Sequence, residues 1–146
     1  MGWLSPIFGI GFIGIIFLVA GIKEYDNYSL RKELRNIPPN SLSHFSLSKG
    51  EASRGIDSPV DVSKLMSQIQ SVKYCHAHHS HQTDIFEITF EYNGQSYQYS
   101  IGPDSQRPGE YWVNADNREY AIGSFHSDDL GQVVQNLLTN KLQATR

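Results

Sequence analysis

The chain has 146 residues, with 12 Lys and Arg against 15 Asp and Glu, for a formal net charge of −3. That length holds one domain with a modest core. The charge is also unevenly placed: six basic and ten acidic residues lie from Ser58 onward, so this part is near −4 and offers no electrostatic footprint for a nucleic-acid backbone. A single cysteine, Cys75, excludes an intramolecular disulfide and a cysteine-based zinc knuckle.

From Met1 to Ile22 no side chain is charged, and Trp3 to Ile22 is a twenty-residue apolar run. As a helix it would be about 30 Å long, the hydrocarbon thickness of a bilayer. The sequence therefore predicts a transmembrane anchor over 1–24, with the lipid bilayer as a partner. No basic n-region and no good cleavage site accompany the run, so it reads as an uncleaved signal anchor and not as a signal peptide. Lys23, Arg31, Lys32 and Arg35 all follow it. The positive-inside rule then puts a single-pass protein in the membrane with its domain in the cytoplasm; the reverse orientation, periplasmic or otherwise extracytoplasmic, is the alternative. Gly9 to Gly14 spells G-x-G-x-x-G, but no strand precedes it and no acidic residue follows at the required distance, so a dinucleotide site is rejected.

The segment 25–57 reads as a juxtamembrane helix and a flexible linker. Leu30, Leu34 and Ile37 repeat at helical spacing until Pro38-Pro39 stops them. The Ser- and Gly-rich stretch from Asn40 to Asp57 resembles a tether, although Leu42, Phe45 and Leu47 suggest that part of it docks.

The third unit, 58–146, is expected to be an α+β domain of order α-β-β-β-β-β-α. Ser58-Pro59 with Asp61 starts a helix with apolar positions Val62, Leu65, Met66 and Ile69, ending near Ser71. Val72 to His79 is a plausible first strand. Ile85 to Tyr92 alternates cleanly, and Asn93-Gly94 marks a two-residue hairpin. That turn pairs Tyr92 with Gln95, and so sets Phe90 opposite Tyr97, Ile88 opposite Tyr99 and Phe86 opposite Ile101. Gly102 to Gly109 is a loop, Glu110 to Asn114 and Glu119 to Phe125 are strands, and Ser127 or Asp128 caps a last helix striped by Leu130, Val133, Val134, Leu137 and Leu138. Two amphipathic helices covering one face of an antiparallel sheet follow from this order.

Three groups of residues carry the functional expectations. Asp104, Arg107, Tyr111 and Trp112 lie in or beside the Gly102–Gly109 loop and include the residue types that anchor protein interfaces. They support a non-enzymatic binding or regulatory module that captures a protein or peptide partner at the membrane. His76, His78, His79 and His81 form the densest run of metal-ligand types, with His76 and His78 on one strand face and His81 in the following turn. The alternative function is therefore a metal or pH sensor that uses His76, His78 and His81 with zinc or another transition metal; otherwise no cofactor is expected. Cys75 beside a histidine is the weakest group. It sits on a strand, away from any helix N-terminus that would lower its pKa, so no enzyme is expected.

Overall fold

In the computed structural model the backbone is described for residues 5–75, 84–115 and 121–139, and side chains from Ile15 onward within those ranges. The elements are helix α1 (Ser5–Asn36), a 3-10 turn (Pro39–Ser41), strands β1 (Ser43–Lys49) and β2 (Ala52–Gly55), helix α2 (Pro59–Ile69), strands β3 (Phe86–Tyr92), β4 (Gln95–Pro103), β5 (Glu110–Ala115) and β6 (Gly123–His126), and helix α3 (Leu130–Thr139). Together they make an α+β domain with a six-stranded antiparallel sheet in the order β2-β1-β3-β4-β5-β6.

The β3–β4 hairpin has the expected register: Tyr92 faces Gln95, Phe90 faces Tyr97, Ile88 faces Tyr99 and Phe86 faces Ile101. Asn93 and Gly94 both adopt positive φ, 51° and 75°, as the twist of a two-residue hairpin requires. Alternation then sends Phe86, Ile88, Phe90, Tyr99 and Ile101 to one face, where they join Phe45, Leu47, Val113 and Phe125 in the core. The rings of Phe45, Tyr97 and Tyr99 each stack on Phe90.

The helices close that face. Ser58 Oγ accepts from Asp61 N at 3.3 Å and starts α2, which buries Val62, Leu65, Met66 and Ile69. Ser127 Oγ accepts from Leu130 N at 3.1 Å and starts α3, which buries Leu130 and Val134. A third helix was not expected in this layer. The C-terminal half of α1 brings Leu34 and Ile37 into the core and is bound there by polar contacts. Arg31, only 4 % exposed, donates to the carbonyl of Ile122 and, at 2.7 Å, to Glu24 Oε1; its guanidinium also lies 5.5 Å from the centre of the Tyr74 ring. Arg35 donates to the Val72 carbonyl through two nitrogens. Gln70 Nε2 donates to the carbonyls of Leu34 and Ile37, capping the helix end.

Several expectations are corrected here. Among the described residues, no helix is long and apolar enough to cross a membrane. The transmembrane anchor is withdrawn on that finding, and with it the signal anchor, the lipid-bilayer partner and the single-pass membrane localisation, cytoplasmic or extracytoplasmic. Trp3 lies outside the described residues. Where side chains are described, the apolar run covers Ile15 to Ile22. Lys23, Glu24 and Asp26 then follow, and the same helix continues into the domain. The residues of this run are exposed, Phe17 by 73 %.

The segment read as a tether also differs. Its serines alternate with Phe45 and Leu47, and this period of two builds β1, which pairs Leu47 with Ile88 of β3. A register shift between Ser43 and Ser46, where His44 takes φ 52°, interrupts the alternation. From the expected strand Val72–His79, the described part forms one bridge, Lys73 to Ser124, and residues 76–83 lie outside the described residues. Of the expected strand Glu119–Phe125, the structure has β6 from Gly123, and residues 116–120 are not among those described.

Replacing Arg31 with Ala leaves the buried Ile122 carbonyl without its donor and detaches α1 from β6. The expected loss is about 2–4 kcal/mol of unfolding free energy, read from urea denaturation of the full chain. Ser127→Ala, which removes one N-cap, should cost only about 1 kcal/mol in the same assay.

Candidate functional site

The sheet has a second face, reached by the residues that alternate with the core. On β1, β3 and β4 these are Ser46, Ser48, Glu87, Thr89, Glu91, Gln98 and Ser100. All except the exposed Glu91 are half-buried, and all are small or polar. They bond to one another across strands: Ser46 Oγ with Thr89 Oγ1, and Gln98 Nε2 to Glu87 Oε2 at 3.3 Å. Lys49 Nζ and Asp84 Oδ1 pair at 2.7 Å where β1 ends and the chain enters β3. Cross-strand pairing of short polar side chains gives a surface whose groups are already held in place.

The same face changes character on β5 and β6. Trp112 is only 7 % exposed although it points away from the helices, and its ring lies flat against Gly102 on β4. A Cβ at Gly102 would fall inside the indole, so this position needs glycine for the close approach and not for its backbone angle. Trp112 Nε1 is buried with no hydrogen-bond partner among the described residues. Asn114, next on the same face, is likewise buried.

The four residues expected to bind a partner do not form one surface. Asp104 shapes its turn: its Oδ1 accepts from Gln106 N at 2.9 Å, its N–H donates to Glu110 O and its carbonyl accepts from Arg107 N. Arg107 is exposed on that turn. Tyr111 points to the helix side, stacked on Phe125 with ring centres 5.8 Å apart, whereas Trp112 points to the opposite side.

His76, His78 and His81 lie outside the described residues. Among the described residues, no group of three or more His, Cys, Asp and Glu side chains is placed to hold a metal ion. The metal or pH sensor is therefore withdrawn, and zinc or another transition metal with it. The two described histidines are far apart in the fold. His44 is on β1, 3.9 Å from Glu91 Oε2. His126 is on β6, with Glu110 Oε1 at 3.6 Å and Asp128 Oδ1 at 3.2 Å.

Cys75 follows the Lys73–Ser124 bridge, a position with no sequence signal beyond the residue itself. Burial pushes its thiol pKa above the usual value; the charge of Arg31 and a hydrogen bond with Ser124 pull the other way with less effect. A raised pKa lowers the thiolate fraction at neutral pH, the opposite of what nucleophilic catalysis needs.

Beside the edge strand β2 lies a cleft of about 460 Å³. It is lined by Ile56 and Asp57 after the strand, Ser58, Asp61 and Lys64 at the start of α2, and Val133, Asn136 and Leu137 on α3. Arg54 forms one wall and donates to the Leu137 carbonyl at 2.7 Å, which fixes the last turns of α3 against β2. Nothing in the sequence marked this cleft, because its residues come from two segments far apart in the chain, 54–64 and 133–137.

The chain matches no family model, no curated protein and no solved structure.

Two outcomes test the geometry. The reaction of Cys75 with a disulfide reagent should be slower at pH 7.5 than that of a free cysteine peptide, and should accelerate at higher pH than the peptide does. Gly102→Val should displace Trp112 and shift its fluorescence to the red, measured with Trp3→Phe as background.

Proposed function

We propose that the domain is a non-enzymatic protein-binding module that presents the polar face of β1, β3 and β4 to a partner protein. One observation carries the reading. Three helices cover one face of the sheet, while Ser46, Ser48, Thr89, Gln98 and Ser100 stand on the other, where Ser46 bonds to Thr89 and Gln98 to Glu87 across strands. Short side chains already fixed in position lose little entropy on binding, which favours recognition of a matching surface. Glu87 and Glu91 make the face acidic, in keeping with the net charge of the chain from Ser58 on, so a partner with a polar or basic surface fits it. The raised thiol pKa at Cys75 favours binding over covalent catalysis.

The test places a photo-crosslinking amino acid at Gln98 or, as a control, at Gln135 on the exposed side of α3, in cells producing the full chain. A discrete adduct from Gln98 and none from Gln135 is expected, and Thr89→Lys should reduce it about tenfold. Equal adducts at both positions, or none at Gln98, would discard the reading.

A further inference from the structure

The two edges of the sheet are finished differently. At β6 the chain pairs with its own Lys73: Lys73 N donates to Ser124 O at 2.7 Å, and Ser124 N donates back to Lys73 O at 3.0 Å. At the other end no strand follows β2 in the sheet order among the described residues. The loop Gly50–Glu51 makes Lys49 and Ala52 a hydrogen-bonded pair, so alternation turns the backbone groups of Ala52 and Arg54 toward β1. Ile56 continues the inward series, with its N–H donating to Phe45 O at 2.8 Å. The N–H and C=O of Ser53 and Gly55 therefore point outward. Both residues are exposed, so a second chain can approach there.

We propose that the β2 edge takes an extended segment of a partner protein as a seventh strand, with one apolar side chain of that segment seated in the cleft between β2, α2 and α3. The outward groups at Ser53 and Gly55 recognise the extended backbone whatever its sequence. Selectivity comes from the cleft, where Ile56, Val133 and Leu137 receive the apolar side chain, while the charges of Asp57 and Asp61 are balanced by Arg54 and Lys64 in the same lining. Arg54 is held on Leu137, so the wall of the cleft is already in place. This site is separate from the polar face and does not depend on it.

The test uses random twelve-residue peptides displayed on phage and panned on the full chain, with the tightest peptide then synthesised as the probe for fluorescence anisotropy. Selected peptides should share one apolar residue within an otherwise extended, proline-free stretch. Ser53→Pro should weaken binding at least tenfold without moving the urea midpoint, because a proline whose ring replaces an outward N–H costs the sheet no bond. Methylating alternate backbone nitrogens of the probe should weaken binding of the unaltered protein in the same way, a readout independent of how the variant folds. Thr89→Lys should leave the affinity unchanged, which separates this site from the polar face. The proposal is overturned if no peptide is selected, if neither Ser53→Pro nor the methylated probe weakens binding, or if sedimentation shows the edge already taken by a second copy of the chain.

Discussion

The buried guanidinium of Arg31 holds together parts of the chain that no strand pairing joins. Burying a charge is costly unless its partners replace water. Here an anion, a carbonyl and an aromatic face do so: Glu24 from about two turns earlier on α1, Ile122 from the end of the β5–β6 connection, and Tyr74 from the segment after α2. Around it, Arg35 holds Val72 and Gln70 holds the end of α1. The bridge that finishes the β6 edge at Lys73 thus lies between two arginine contacts, at Val72 and at Tyr74. Gly123 shows how closely this is packed. A Cβ there would meet the Lys73 backbone, Val72 and the Arg31 side chain, so the edge closes only because β6 begins with glycine.

The fold was legible where one physical signal dominated. Asn93-Gly94 sets a turn that few other pairs tolerate, and the alternation on both sides of it agrees with the same register. Ser58 and Ser127 were readable as caps because a hydroxyl before an apolar stripe has few other uses. The signal failed where two patterns were superposed. Strand β1 alternates serine with large apolar residues, yet the composition of its neighbourhood is that of a linker, and the bulge at His44 hides the period. In α1, the striking apolar content of the first half obscured the role of Leu30, Leu34 and Ile37, which are core positions of the domain and not a separate connector. Charges at Arg31 and Arg35 looked like a solvated or membrane-facing surface, and only the tertiary structure shows that Arg31 is buried and that the exposed Arg35 bonds to the Val72 carbonyl.

The candidate site was less legible than the fold, for a geometric reason. Residues adjacent in sequence were grouped together, but adjacent residues on a strand point apart, as Tyr111 and Trp112 do. The surfaces that now carry the functional proposals come instead from every second residue on three strands, and from two distant segments that meet beside β2. Such groupings become visible only when the strand order is known, because β1 and β3 are neighbours in space with α2 between them in the chain.

That strand order also has a temporal side. The β3-β4-β5-β6 meander links neighbours by short connections, whereas the β1–β2 hairpin must find β3 across the length of α2 and the connection after it. Loop closure makes such distant pairings slow to form. The hairpin therefore docks late, and Phe45 and Leu47 then lock β1 into the core. β2, which has no buried side chain of its own, can adjust its twist to an incoming chain while β1 stays fixed to the meander.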